Sequence, residues 1–418
     1  MKLPAVALLA VLSLHSARGQ STPAPALTGE WTRFELTPHF WAEGACAADV
    51  NKDGKVDVIS GPFWYEGPEY KKRHTIYPPR QTFKAKAADG AEQELPGFEG
   101  ALGTKNTYSD NFISYAHDFN GDGWQDYLVI GFPGKETLWY ENPKGQDYPW
   151  PKHVALAVTD NESPMFADLT GDGKPELLCM SGGFIGYAEW NAKAPDEPWT
   201  WHPISTRGNY QKFTHGIGYG DVNGDGRVDI LESQGWWEQP ASREGDPVWA
   251  FHKALFGGGG AQMYAYDVSG DGKADVITAL SAHQYGVAWF EQTNDGGVQG
   301  WTKHLIVGTP QQAGDTGVVF SQPHAIDLAD MNGDGLKDII TGKRFWAHGN
   351  KGDPEPDAVK VLWWFELKRD AGKATYLPHL IDSDSGVGTQ VMATDLTGDG
   401  KLDLVVGNKK GVFVHLRK

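Results

Sequence analysis

DVNGDGRVD, residues 221–229, is one of seven related nonapeptides. The others are DVNKDGKVD from Asp49, DFNGDGWQD from Asp118, DLTGDGKPE from Asp168, DVSGDGKAD from Asp267, DMNGDGLKD from Asp330 and DLTGDGKLD from Asp395. Their starts fall 46 to 69 residues apart. A supersecondary unit returning at that period marks a propeller or a solenoid.

Each copy sets side-chain oxygens at positions 1, 3, 5 and 9 and glycine at position 6. Position 1 is Asp49, Asp118, Asp168, Asp221, Asp267, Asp330 and Asp395. Position 3 is Asn51, Asn120, Thr170, Asn223, Ser269, Asn332 and Thr397. Position 5 is Asp53, Asp122, Asp172, Asp225, Asp271, Asp334 and Asp399, and position 9 is Asp57, Asp126, Glu176, Asp229, Asp275, Asp338 and Asp403. This is most of an EF-hand loop without its bidentate Glu at position 12. Hard oxygen ligands suit Ca²⁺, whereas zinc or copper would want His or Cys. Asp, Asn and Gly also form such turns unaided, but three carboxylates packed per loop call for a cation. Up to seven structural Ca²⁺ ions are expected, with weaker binding where position 3 is Ser or Thr.

The loops hold 21 of the 54 acidic residues; without them the formal net charge of −17 becomes +4. The acidity is local and gives no reason to expect a nucleic-acid partner. β-Branched runs such as DVIS, DYLVIG and DIITG follow the loops. Next come aromatic runs such as FWYEG, LWYEN, WWEQ and AWFEQ, then segments such as WPKHVAL and WTKHLIV that carry a His. Short alternating strands with turn signals between them read as sheet. With the strand entering each loop they make four per unit, as in a propeller blade. The last unit lacks a fourth strand after GVFVHLRK, while WTRFEL at 31–36 stands alone before the first loop. The expectation is an all-β, seven-bladed propeller over 31–418, closed by 31–36 completing the last blade and removing open edges.

Residues 1–19, with Lys2, an apolar stretch and Ala17-Arg18-Gly19, read as a secretory signal peptide, and 20–30 as a linker. A secreted or periplasmic location follows, with no membrane span. Cys46 and Cys179, the only two cysteines, fall in different units and are expected free. The recurrent His153, His202, His252, His304 and His379 on outer strands are expected to pack on neighbouring aromatics.

Candidate chemistry lies at the channel mouth opposite the loops. Five to seven residues before each nonapeptide stand Glu43, Asn111, Glu162, His215, Gln262, His324 and Gln390. This polar ring leaves room for substrate or a further divalent metal. Adjoining loops add His283, Lys343, Arg344, His348, Lys409 and Lys410. A cationic, histidine-bearing mouth suits a developing oxyanion or a carboxylate.

The DxNxDG units and the aromatic strands after them resemble the FG-GAP or VCBS repeat family of calcium-binding propellers, which spans adhesion proteins, lectin-like modules and enzymes. SQPHAIDLADMNGDG, with His324, and SAHQYGVAWFEQ, with His283, are more distantly similar to the propeller domain of aldos-2-ulose dehydratases. That resemblance implies metal-assisted loss of water from keto-sugars. Two expectations follow. The first is a carbohydrate-active lyase or dehydratase working by β-elimination on a keto-sugar or uronic-acid glycan. His324 and His283 would exchange protons and Lys343 or Arg344 would stabilise the enolate, with His348 beside them. The second is a non-catalytic propeller that binds glycan or protein through the same face.

Overall fold

The structure, a computed structural model, describes residues 30–418 except 88, 103–104, 147–148 and 346; the expected signal peptide and most of the linker lie outside the described residues. The described chain is all-β. Its strands form seven four-stranded antiparallel units, apart from one separate hairpin, Thr82–Lys86 with Glu92–Pro96, in the insertion after the first unit. The first unit is Cys46–Ala48, Asp57–Ser60, Phe63–Tyr65 and Arg73–Thr75. The fourth is Ile217–Gly220, Asp229–Glu232, Gly235–Glu238 and Ala250–Lys253, and the others repeat the pattern. One long strand, Lys152–Ala167, is the outer edge of the second unit and the inner strand of the third.

Every nonapeptide spans the turn between the first and second strands of its unit, and its ninth residue opens the second strand. That residue does local work. Asp229 is fully buried; its Oδ2 accepts the backbone N–H of Val222 at 2.9 Å and its Oδ1 that of Gln239 at 2.9 Å. Asp57, Asp126, Asp275, Asp338 and Asp403 repeat this, tying the loop to a residue in the third strand or one to two beyond it. Buried carboxylates need such partners. The second loop residue, from Val50 to Leu396, is a buried apolar anchor in every unit.

The ring closes. Inner strands of successive units lie side by side, and the last unit touches the first. Ile217–Gly220 and Gln262–Tyr266 pair in parallel, so the inner strands run in one direction. Trp31–Thr37 pairs antiparallel with Gly411–Arg417, Trp31 opposite Arg417 and Phe34 opposite Val414, making the last unit four-stranded. Cys46 and Cys179 are buried and free.

The outer histidines stack as expected: Trp236 on His252 with centroids 4.0 Å apart, Trp139 on His153 at 4.1 Å and Trp289 on His304 at 4.2 Å. Each also meets the Glu of the adjoining WxE or WYE run, as His252 Nε2 meets Glu238 at 2.7 Å. Among the described residues, no helix is long and apolar enough to cross a membrane.

Candidate functional site at the channel mouth

Residues just ahead of the inner strands converge at one end of the channel, together with loops between the second and third strands of the fifth, sixth and seventh units. His215 comes from the fourth unit's entry and His324 from the sixth's. His283 sits in the fifth unit's 280–286 loop, and His348 in the sixth's 343–361 loop. The four imidazoles meet. Ring centroids are 5.1 Å apart for His283 and His324, 4.8 Å for His215 and His283, 5.1 Å for His215 and His324, and 4.2 Å for His283 and His348.

A buried charge network stands behind them. Arg344 Nη2 donates to Glu43 Oε1 at 2.8 Å, and its Nη1 donates to His324 Nε2 at 2.8 Å while lying 3.7 Å from Glu162. Glu162 Oε2 is 3.4 Å from both His215 Nε2 and His324 Nε2. Burial opposes ionisation of Glu162, yet its polar neighbours, His215 first among them, outweigh it and hold the carboxyl well below its usual range. Burial, reinforced by Arg344, brings His324 down to about 3, and burial with the neighbouring rings brings His283 to about 2. Both rings are therefore neutral. His324 Nε2 then accepts from Arg344, the closer partner, and Nδ1 carries the ring proton. That Nδ1 is buried without a hydrogen-bond partner, as is Glu43 Oε2.

Three imidazoles fit a metal. His215, His283 and His324 each offer one ring nitrogen, all within 4.8 Å of one another. Tetrahedral zinc at ~2.05 Å from each nitrogen needs about 3.3 Å between ligands, a modest inward shift. Ligation through His324 Nδ1 requires the other tautomer, with Nε2–H turned to Glu162 and the Arg344 Nη1 that donates to Nε2 moved off it. Such an outer carboxylate is what a ligating histidine usually needs.

His348 differs from the other three. Its side chain is 45% exposed, against 21% for His283, 12% for His215 and 0% for His324. Its Nδ1 lies 2.9 Å from Asp353 Oδ1, and Asp353 Oδ2 accepts the His348 backbone N–H at 2.8 Å. Asp353 is itself buried and 3.6 Å from His283 Nδ1. Asp353 was legible only as one of several acids in GNKGDPEPD; nothing in the spacing singles it out. Gln322, also unmarked by sequence, holds a left-handed φ of 61°, and its carbonyl takes the N–H of Arg344 at 3.0 Å. It thereby sets the turn that presents the network.

Several expected residues are placed otherwise. Lys343 and Arg344 are each 1% exposed, so neither reaches a substrate directly. Lys343 Nζ donates to Ser321 Oγ at 2.5 Å, and burial lowers its pKa to about 8. Lys409 is buried over the Tyr108 ring, 4.6 Å from its centroid, and is likewise lowered to about 8 by burial. Lys410 pairs with Asp384 away from the imidazoles. Gln262 and Gln390 are straps: Gln262 spans Thr389 O and Ile326 N, at 3.0 Å each, and Gln390 takes both backbone groups of Ser114. Asn111 donates to the buried Tyr127 hydroxyl at 2.6 Å. Gly257–Gly260 packs against the backbone of His215: at Gly259, with φ of 90°, a Cβ would sit 2.3 Å from the His215 carbonyl.

In the nonapeptides, position 1 accepts backbone N–H groups through both oxygens, as Asp221 does from Gly224, Asp225 and Gly226. Cationic side chains sit on several position-5 carboxylates, Arg227 on Asp225 and Lys273 on Asp271 among them. Among the described residues, the third loop is the one whose three carboxylates, Asp168, Asp172 and Glu176, come within 4.8 Å of one another. Glu176 accepts the Leu169 N–H at 2.8 Å, as the aspartates accept from their second loop residue, and its Oε1 turns back to the Thr170 hydroxyl.

Models of the FG-GAP-like repeat match residues 118–179 and 267–341, and the FG-GAP repeat model matches 387–412. Among curated protein sequences, none matches this one. Similar solved structures include an Agrocybe aegerita lectin recognising non-reducing terminal N-acetylglucosamine, at 17% identity, covering 73% of this chain and 84% of its own, with TM-score 0.43. An exotype rhamnogalacturonan lyase is 12% identical over 94% of this chain and 74% of its own, TM-score 0.43. A Bacillus licheniformis rhamnogalacturonan lyase is 13% identical over 95% and 74%, TM-score 0.38. The chain is an all-β propeller that carries FG-GAP-type repeats over these three stretches.

Proposed function

We propose that this FG-GAP-repeat propeller is a carbohydrate-active lyase or dehydratase that performs β-elimination on a carbonyl-bearing sugar at its channel mouth. The supporting observation is the four-imidazole cluster, three rings recessed and one exposed, backed by Glu162, Arg344 and Asp353. His215, His283 and His324 would hold a divalent metal, which supplies Lewis acidity toward a sugar carbonyl oxygen. His348, half-exposed and oriented through Nδ1 by Asp353, takes the proton from the carbon beside the carbonyl at Nε2. The electron pair shifts toward the carbonyl oxygen and then returns to form C=C as the β carbon–oxygen bond breaks. His348 gives the proton to the departing oxygen, which leaves as water or as an alcohol. Arg344 acts as a positioning residue that fixes Glu43, Glu162 and His324. On the same reading Ca²⁺ occupies the nonapeptide loops and replaces the cationic side chains on their position-5 carboxylates.

The test uses protein chelated and then reloaded with Zn²⁺ or Mn²⁺, incubated with keto-sugars and uronic oligosaccharides. Unsaturated product should appear by ultraviolet absorbance, and His348→Asn should lower its rate about 10²–10⁴-fold. No product from any substrate, together with glycan binding unaffected by metal, would leave the propeller as a binding module.

A further inference from the structure

A cavity opens beside the imidazole cluster, between the third and fourth units. It encloses about 370 Å³, within the range of small-ligand pockets. Its lining includes Asn209, Tyr210, His215, Glu232, Gln234 and Phe251. His215 lines this cavity and also belongs to the imidazole cluster, so the two sites adjoin.

The lining has the chemistry of a sugar seat. Phe251 is 41% exposed although it lies on a strand, and its ring meets Trp237 at 4.8 Å. Gly235 makes this possible: a Cβ there would stand 2.8 Å from the Phe251 ring, so the ring rests on bare backbone. Glu232 is 6% exposed and accepts the Tyr210 hydroxyl at 3.3 Å, giving a fixed pair of polar groups at the wall. Exposed amides of Asn209 and Gln234 both donate and accept. An aromatic face with a few placed polar groups matches a pyranose, whose ring faces are apolar and whose edges carry hydroxyls. No Lys or Arg is among the lining residues, so nothing there would pair a uronate carboxylate.

From this we infer that the cavity is a subsite for an uncharged sugar joined to the reacting one, and that the substrate is an oligosaccharide rather than a free monosaccharide. The inference rests on the proposed reaction for its account of the neighbouring site, but binding tests it separately.

Cellobiose and maltose, each oxidised to the 2-ketone in the reducing unit, are compared with 2-keto-glucose as substrates. The unoxidised disaccharides and glucose serve as calorimetric ligands. At least one disaccharide should bind measurably where glucose does not, and its ketone should show kcat/KM at least tenfold above that of 2-keto-glucose. Phe251→Ala and Glu232→Gln should raise KM for that disaccharide about tenfold, leaving turnover of 2-keto-glucose and the melting curve unchanged. Equal handling of mono- and disaccharides, with both variants indifferent, would overturn the subsite and leave the proposed reaction standing. Disaccharide binding that Phe251→Ala abolishes, with no turnover of any ketone, would support the subsite and overturn the reaction. Failure of both disaccharides to bind or react better than the monosaccharides overturns the subsite.

Discussion

At the residue scale, exposure sorts four similar imidazoles into different tasks. His324, fully buried and held by Arg344, is poorly placed to exchange protons with a substrate, although the sequence offered it with His283 as one of two proton carriers. His348 has the opposite balance, with one nitrogen on a buried carboxylate and the rest of the ring reachable. Asp353→Asn should therefore lower kcat about 10²-fold or more with little change in KM, because the amide no longer fixes the Nδ1–H tautomer. The pH profile of kcat/KM should shift as well, which a purely structural defect would not produce. The buried lysines predict a separate pH effect. Burial lowers Lys343 and Lys409 to about 8, below the ordinary value of 10.5. Between those values the unfolded chain binds more protons than the folded one, so stability must rise with pH across that window. Melting temperature should climb from pH 7.5 to 9.5, and Lys343→Met should weaken the climb. A flat profile in the parent protein would mean that both amines are better solvated than the structure has them.

At the element scale, the nonapeptide carried most of the fold because its spacing encodes a turn, and the turn dictates which strands follow. The residue after each aromatic run's Glu was not legible in the same way. Gln239 Nε2 reaches the preceding unit, donating to Leu169 O at 2.8 Å and to its own unit's Val228 O at 2.8 Å. Asn142 and Gln292 do the same one unit away, and in the last two units Arg369 and Arg417 reach the corresponding carbonyls from other positions. Sequence shows only polar residues ending a strand; their partners lie about 70 to 100 residues back, which no local pattern reveals. The same separation hid the cavity beside His215. Calcium would act on these elements. Binding only the folded state raises stability by about 2.7 kcal/mol per site at hundredfold excess over Kd. Chelation should lower the melting temperature, and Ca²⁺ should restore it better than Mg²⁺, whose stricter octahedral geometry suits these loops poorly. Glu176→Gln should remove one ion by calorimetry. A full complement of zero after exhaustive chelation and reloading would mean that the cationic side chains alone neutralise the loops.

At the scale of the molecule, stability depends on closure, and the site depends on closure too. Glu43, which anchors Arg344, belongs to the entry of the first unit, while its N–H donates to Asn111 O and its carbonyl accepts the Thr389 N–H at 3.0 Å. The imidazoles come from the fourth, fifth and sixth units, so an opened ring would separate the two halves of one charge network. The closing strand makes an antiparallel ladder with 411–417, its register shifting once between Glu35 and Thr37. Phe34 and Leu36 pack against the core of Val412, Val414 and Tyr70, and Arg33 lies over Phe413 at 4.6 Å. Deleting 31–37 should expose the edge of Gly411–Arg417 and its apolar face, and an unpaired apolar edge invites association. Size-exclusion chromatography should show aggregates or dimers, and the melting temperature should fall by many degrees. Gln390→Leu is a gentler probe of the same ring: it strips the partners from both backbone groups of Ser114, at about 1–3 kcal/mol for each buried group left unsatisfied. Because Gln390 belongs to the last unit and Ser114 to the second, the loss falls on the channel rather than on one blade. A deletion mutant that stays monomeric with an unchanged melting curve would show that the seventh unit holds with three strands, and the link between ring closure and the Glu43–Arg344 pair would fail with it.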